Sequence, residues 1–580
     1  MVENAITIRI GGEAGMGLES SGAGFGKALV RGGLYVFGVP DFYSRIRGGH
    51  NFFTLRIADQ PLYAIDDPVH LLLALDMETI RRHTADMISG GAIVYEDNET
   101  LPDDLKRDDI LYIPVPLTAL AKEVGGAEVM RNTLALGVAI GLLHFDQVYV
   151  ESVIRDNFAG KGDAIIDGNL RLIAKGMELA APYEADYPFR VTAIPDAPKR
   201  LFLNGTEAFS MGALAGGCRF VSGYPMTPGS PVLIWFAQHA AEYGVVARHV
   251  EDEISAINMA IGAGMMGVRS LVPTSGGGYA LMVEATGLAG MSETPVVIYN
   301  AQRPGPATGL PTRTEQADML FMMFASQGEF ARAMLAPGTP AEAFHLAWKA
   351  FNMAERYQTP VMVLSDQFLA DSFWTLEPDA LDFDAVAFDR GALLTDADLD
   401  ALTEPYQRYK ITPSGVSPRA IPGHPNAIFM TESNEHDESS AMRENPQIRA
   451  AQQSKRMRKG VGMKQEIPDP TWYGPDDAEM TLVCWGSTYG PAREAVDRLN
   501  AQETGKANLL HFSGLEPFPP GAEAALRRAR KRIVVEGNYT GQLELLIRMR
   551  TGLTMDGAVR RFDGRPFRPQ YILDGIKEVD

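Results

Sequence analysis

Apolar residues recur along the chain with two different periods, and each change of period marks out an element. Ala5-Ile6-Thr7-Ile8-Arg9-Ile10 alternates residue by residue, as a half-buried strand does. The glycine-rich stretch GGEAGMGLESSGAGFG follows and leads into a helix ending near Gly32-Gly33. Short apolar runs at Phe52–Ile57, Leu71–Leu75, Ala92–Glu96 and Ile110–Val115 predict further strands, with helical stretches between some of them. Residues 183–200 are proline-rich without apolar periodicity and read as a linker. Beyond it, Arg219–Ser222, Val245–Val250, Arg269–Pro273, Pro295–Asn300 and Pro360–Ser365 are separated by helical segments, the pattern of a parallel sheet. Residues 376–475 have few aliphatic runs, and Arg449–Lys459 is at most a basic amphipathic helix. The runs Thr481–Trp485, Leu509–Phe512 and Arg532–Glu536 then give a smaller α/β domain. The expectation is a multidomain α/β protein with domains at 1–190, 201–375 and 476–580, a linker at 191–200 and a polar connecting segment at 376–475.

Composition narrows the function. A hydrophobic content of 46% over 580 residues fits full cores. The net charge of -20 argues against general binding to nucleic acid or anionic membranes. Two cysteines far apart, Cys218 and Cys484, cannot by themselves build a disulfide framework, a zinc site or an iron–sulfur cluster. The start, MVENAITIRIGG, lacks the basic segment and long apolar run of a signal peptide, and no apolar run approaches the ~20 residues that span a bilayer. A soluble, cytoplasmic protein is expected.

Candidate chemistry gathers in the second domain. Glu251, Asp252 and Glu253 open a helix that carries the small residues Ala256, Ala260, Gly262, Ala263, Gly264 and Gly267. The helix dipole alone favours acids in a first turn. Glu253 is set apart because no charge follows it until Arg269. A carboxyl in apolar surroundings can pass a proton rather than only balance a charge. Three further stretches follow predicted strands: GYPMTPGSP at 223–231, Thr274-Ser275-Gly276-Gly277-Gly278, and RPGPATGLPT at 303–312. Ligands of parallel α/β sheets bind at such carboxyl ends. Arg303 can pair with a carboxylate in a forked geometry, and Thr227 and Thr312 can donate hydroxyl hydrogen bonds. Taken singly, these are a surface ion pair and two caps; together they predict a pocket for an anionic small molecule.

The first domain is more ambiguous. Gly15-x-Gly17-x-x-Ser20 lacks the third glycine of a dinucleotide fingerprint, and is either a steric turn or a backbone nest for an anion. Arg45 and Arg47 ahead of Gly48-Gly49 form either an anion clamp or a solvated hairpin. Glu435-His436-Asp437-Glu438 reads as a surface loop, and no metal site is expected on this chain. The last domain shows no catalytic constellation.

Taken together, the motifs resemble the 2-oxoacid:ferredoxin oxidoreductase family, as a fused gamma–alpha subunit most like the 2-oxoglutarate type. GGEAGMGLESSG and SRIRGGHNFFTLRI resemble the gamma domain. GYPMTPGSP, EDEISAINMAIGAG, PTSGGGYALM and RPGPATGLPT resemble the alpha domain that binds the aminopyrimidine of thiamine diphosphate, and the ending CWGSTYGPAREAV resembles its transketolase-C-like domain. The resemblance implies that Glu253 is the catalytic acid bonded to N1′ of that ring. It also implies that Thr227, Arg303 and Thr312 bind the substrate, and that Tyr224, Pro225, Thr274, Ser275 and Gly276 contact the cofactor. Gly12, Gly15, Gly17 and Arg47 would lie on the coenzyme A side.

The resemblance also shows what is missing. No Gly-Asp-Gly motif with a following asparagine is present, since Asp167-Gly168-Asn169 lacks the preceding glycine. Magnesium, the diphosphate grip and the 4Fe-4S cluster are therefore expected on a separate beta subunit, with thiamine diphosphate shared between the two in a doubled αβ heterotetramer. The implied reaction converts 2-oxoglutarate, coenzyme A and oxidised ferredoxin to succinyl-CoA, carbon dioxide and reduced ferredoxin. Reversed, it fixes carbon dioxide, as in a reductive TCA cycle. The alternatives are a pyruvate or branched-chain 2-oxoacid enzyme, or a non-catalytic assembly subunit.

Overall fold

The computed structural model describes residues 2–43, 49–66, 68–98, 100–123 and 130–579. The chain forms two units: Met1–Asn204 with Asp371–Ala380, and Gly205–Ala370 with Leu381–Asp580. Among the described residues, no helix is long and apolar enough to cross a membrane.

The first unit is built on one eight-stranded sheet. From edge to edge its strands are Leu111–Val115, Met87–Glu96, Val69–Ala74, Ile6–Glu13, His50–Ala58, Tyr35–Phe42, Phe373–Leu376 and Leu201–Asn204. Pairing is parallel as far as Ile6–Glu13 and antiparallel beyond it. The central strands are buried along most of their length, which is why they read as apolar runs. The helices Arg131–Leu143 and Asp163–Ala180 meet backbone to backbone at Gly137 and Gly176, where a Cβ on either residue would collide with the other helix. The division of the chain falls elsewhere than at 190 and 375. The stretch after Phe189–Arg190 leads to Leu201–Asn204, the edge strand of the first sheet, and Phe373–Leu376 returns to pair beside it.

The second unit holds two sheets over a shared core. A seven-stranded sheet runs Val246–His249, Phe220–Gly223, Ser270–Thr274, Val296–Gln302, Pro360–Asp366, Ala333–Leu335, Gly514–Glu516, parallel except at its last strand. A five-stranded sheet runs Thr471–Tyr473, Ala507–Phe512, Met480–Trp485, Arg532–Glu536, Gly557–Arg560. Helices Glu253–Met265 and Gly276–Met291 contribute Ala256, Ile257, Met282 and Ala285 to a core that also contains Val483, Trp485, Leu510 and Phe512. Each predicted strand of this unit appears within one or two residues of its expected ends.

The polar segment is more structured than its composition suggests. Its helix runs Pro446–Glu466, capped by Asn445, and the face it buries is the basic one: Gln452, Lys455, Arg456, Lys459 and Met463. Lys455 donates to Glu293 Oε1 at 2.6 Å and Lys459 lies 2.5 Å from Glu293 Oε2, while Arg456 pairs with Glu435. Glu435 also accepts from Arg449. His436 is fully buried, with its ring centroid 3.7 Å from that of Tyr409 and the planes tilted by 35°, so it belongs to the packing rather than to a surface loop.

Candidate active site

Glu253 sits where a helix leaves the sheet. Asp252 is the N-cap of Glu253–Met265, its carboxylate accepting from the Ser255 N–H at 2.7 Å. That cap satisfies the helix end and leaves the neighbouring glutamate with no capping duty. Glu253 is 3% exposed, and its Oε1 has no hydrogen-bond partner among the described residues. A buried carboxylate oxygen left unpaired costs a few kcal/mol and calls for an explanation.

The glycines of the facing loop explain how the group is housed. A Cβ at Gly278 would run into Glu253 Oε1 and Thr274 Oγ1, and one at Gly276 would run into the Asp318 carboxylate. A Cβ at Gly277 would come within van der Waals range of the Met226 sulfur and the Ala307 carbonyl, while one at Gly229 would collide with the Thr274 backbone. These contacts bring all four sequence stretches to one place, at the carboxyl ends of Phe220–Gly223, Ser270–Thr274 and Val296–Gln302.

Other polar atoms there are also unpaired. Thr274 and Ser275 are fully buried, and Ser275 Oγ has no partner although it stands at the N-cap of Gly276–Met291. Arg303 donates through Nη1 to the Thr227 carbonyl at 2.7 Å, which fixes the guanidinium and leaves Nε, itself buried, without a partner. Tyr224 and Pro225 are exposed at the rim. Thr312 is half-buried farther along the Arg303 loop and, among the described residues, makes no side-chain hydrogen bond.

Three residues at the site escaped the sequence reading. Asn300 Nδ2 donates to Asp318 Oδ2 at 3.0 Å, leaving Asn300 Oδ1 buried and unpaired. The Asp318 backbone N–H donates to Gln302 Oε1 at 3.0 Å, and burial pushes the Asp318 carboxyl above the ordinary aspartate range. Glu315 is pushed up to about 7 by burial and by Asp318. The available signal was the polar ending Asn300-Ala301-Gln302 on an otherwise apolar strand.

The first unit carries its own cavity, of about 390 Å³, lined by Glu13, Gly15, Gly17, Glu19, Asn51 and Phe52 among others. Gly17 is the left-handed N-cap of Leu18–Arg31, and Gly15, also at positive φ, has open space beside it. Gly12 is different: a Cβ there would collide with the Met16 sulfur, so it serves packing. Arg47, like Arg45, lies outside the described residues. His50, at the end of the same motif, is buried with its Nε2 2.8 Å from His83 Nε2.

Comparison with known proteins agrees with this layout. A family described as "Pyruvate flavodoxin/ferredoxin oxidoreductase, thiamine diP-bdg" matches residues 211–455, and one described as "Pyruvate ferredoxin/flavodoxin oxidoreductase" matches residues 7–179. The 2-oxoacid:ferredoxin oxidoreductase subunit alpha of Sulfolobus sp. is 32% identical over 98% of this chain and 96% of its own length. The 2-oxoglutarate oxidoreductase subunit KorA of Mycobacterium tuberculosis is 30% identical, covering 94% of this chain and 87% of its own. Among solved structures, the 2-oxoglutarate:ferredoxin oxidoreductase from Magnetococcus marinus with 2-oxoglutarate, coenzyme A and succinyl-CoA bound superposes with a TM-score of 0.89, at 31% identity over 99% of both chains.

Proposed function

The chain belongs to the 2-oxoacid:ferredoxin oxidoreductase alpha-subunit family, and from that premise we propose that it forms one half of a thiamine-diphosphate site that oxidatively decarboxylates 2-oxoglutarate. The observation that carries this reading is the buried, unpartnered Glu253 Oε1, housed against Gly278, where any side chain would collide with it.

Thiamine diphosphate supplies, when bound, the carbon nucleophile that a 2-oxoacid needs in order to lose carbon dioxide. Glu253, 3% exposed, would hydrogen-bond N1′ of the aminopyrimidine through the buried oxygen that lacks a partner in this chain. Ser275 and Asn300 offer the remaining unpaired polar atoms to the same ring, and Thr274 and Gly276 shape the wall beside it. Tyr224 and Pro225 form the rim, with Thr227 facing the 2-oxoacid carboxylate. The free Nε of Arg303 pairs with an anionic substrate group, and Thr312 takes part as a second donor. A five-carbon dicarboxylate has two carboxylates for these groups to hold, which favours 2-oxoglutarate over pyruvate.

Coenzyme A binding falls to the first unit, around Gly15 and Gly17, with Gly12 supporting their loop and Arg47 as a candidate phosphate partner. Magnesium, the diphosphate grip and the 4Fe-4S cluster belong to a beta subunit that passes electrons to ferredoxin, in a doubled αβ heterotetramer of the cytoplasm. The two buried cysteines, Cys218 and Cys484, are too few to hold such a cluster here.

Turnover of 2-oxoglutarate by the purified two-subunit complex tests this. Glu253→Gln is expected to lower it at least about 100-fold and to remove most of the rise in melting temperature that thiamine diphosphate gives. Near-normal turnover would take Glu253 out of the reaction. A panel of pyruvate, branched-chain oxoacids and 2-oxoglutarate on the wild-type complex separates the substrate classes, and inactivity on all of them would favour an assembly subunit.

A further inference from the structure

The loop that carries Arg303 and Thr312 leaves the seven-stranded sheet at the carboxyl end of Val296–Gln302 and is fastened at both ends. At its start, Gln302 Nε2 donates to the Ser365 carbonyl at 3.0 Å and Arg303 to the Thr227 carbonyl at 2.7 Å. At its far end lies Gln316, 2% exposed. Each of its described hydrogen bonds goes to the carboxyl ends of two strands of the other, five-stranded sheet. Its backbone N–H donates to the Gly537 carbonyl at 2.6 Å, and its carbonyl accepts from Asn538 Nδ2 at 3.1 Å. Its side-chain Nε2 donates to the Trp485 carbonyl at 2.9 Å, while its Oε1 accepts from the Gly537 N–H at 2.9 Å.

An amide that meets an acceptor on one strand and a donor on another has one orientation only. Neighbouring contacts bear on the same end of the loop. The Thr314 N–H donates to the Gly564 carbonyl at 3.3 Å, and Thr314 Oγ1 donates to Asp366 Oδ1 at 3.2 Å. Asp366 also accepts from the Ser487 hydroxyl, so one carboxylate ties the loop to the five-stranded sheet a second time. Gly564, at positive φ, lies so close that a Cβ there would stand 3.1 Å from both Leu310 and Arg313. Arg303 is thus placed by one sheet, and the stretch that follows Thr312 is placed by the other.

We infer that Gln316 is a positioning residue for the oxoacid: through it the five-stranded sheet sets how far Thr312 stands from Arg303, and so which length of acid fits between them. This rests on the assignment of Arg303 and Thr312 to the substrate. It gives the last domain, which shows no catalytic constellation in its sequence, a part in recognition. The groups offered to the thiamine ring, Glu253, Ser275 and Asn300, stand on other elements and are not moved by it.

Gln316→Met keeps the length of the side chain and removes both of its amide bonds. In the purified two-subunit complex it should raise the KM of the preferred oxoacid about fivefold to tenfold and lower the preference over shorter oxoacids, with a smaller change in kcat. The rise in melting temperature given by thiamine diphosphate should stay as in the wild type. Thr481→Val is the control for general loosening, since it breaks a buried 2.7 Å hydrogen bond to Asn508 at the opposite end of the strand that ends in Trp485. It should leave both KM and preference alone. Gly564→Ala, which presses on Leu310 and Arg313 from the same sheet, should shift KM in the same direction and decides the matter where Gln316→Met does not fold. Wild-type KM and preference in the folded Gln316 variant would overturn the inference, and so would an equal shift in Thr481→Val. A wild-type complex inactive on every oxoacid would instead overturn the reading of the site, and this inference with it.

Discussion

Two glutamates of the second unit, Glu253 and Glu293, are almost equally buried, at 3% and 0% exposed, yet their surroundings are opposite. Glu293 lies against Lys455 and Lys459, with Arg408 close by. Burial pushes its carboxyl up, but these three cations outweigh burial and hold it well below the ordinary carboxylate range. Glu253 has no cation at its carboxylate among the described salt bridges, and one oxygen lacks any partner. A charge compensated from within the chain serves the fold. A charge left open, in a pocket whose glycines clear space for it, serves something from outside the chain.

The contrast can be broken first at Glu293. Replacing it by glutamine leaves two buried ammonium groups without a counter-charge and should destabilise the unit by about 3–5 kcal/mol, read from denaturant unfolding, with the turnover of folded complex unchanged. Its pH dependence has a definite sign. Because the folded carboxyl titrates below its ordinary value of 4.5, its stabilising contribution is present above that pH and fades as pH falls below it. The gap between wild type and Glu293→Gln should therefore close under acid; a gap that widens instead would break the comparison. Glu253→Gln should do the reverse, losing at least about 100-fold in turnover with little change in unfolding, since no partner in this chain loses a bond.

Smaller effects sharpen the picture. Gly278→Ala pushes a methyl group into Glu253 Oε1 and Thr274 Oγ1, and should lower turnover roughly tenfold by displacing the acid. Arg303→Ala should raise the KM for 2-oxoglutarate by about tenfold, with a smaller change in kcat; an unchanged preference over pyruvate would end the proposed recognition. Glu315, protonated below about 7 and ionised above it, adds a negative charge beside Asp318 as pH rises. The KM for the oxoacid should then climb by roughly threefold from about pH 6 to about pH 8, and Glu315→Gln should flatten that climb.

Local signals carried the strands and the four loops of the site. Apolar runs such as Val296–Gln302 are buried throughout and can be read without knowing their neighbours. Long-range signals were lost. Tyr35–Phe42 was hidden by Gly38 and Pro40, which interrupt its run, and Phe373–Leu376 finds its sheet partners far away in sequence. The Pro446–Glu466 helix was legible only in part, as a basic amphipathic stretch at Arg449–Lys459, because its buried lysines meet a glutamate some 160 positions earlier. At the site, Glu253 and the glycine loop were legible because a helix that opens on acids and then carries no charge until Arg269 is unusual. Asp318 and Glu315 were not, because only the close approach of the Gly276 backbone reveals where Asp318 lies. Gly12, grouped with Gly15 and Gly17 by the family resemblance, is separated from them by its contact with Met16.

The short strand Phe373–Leu376 works as a stitch. It lies between Tyr35–Phe42 and Leu201–Asn204, although some 170 residues of the other unit intervene in the chain. A gene cut after Asn204 would not release a finished first unit: the product would lack its seventh strand, and Tyr35–Phe42 would present bare amide and carbonyl groups to the next protein it met. Anyone dividing this polypeptide into separable parts should carry the strand across as a tethered peptide, or expect the shorter piece to aggregate.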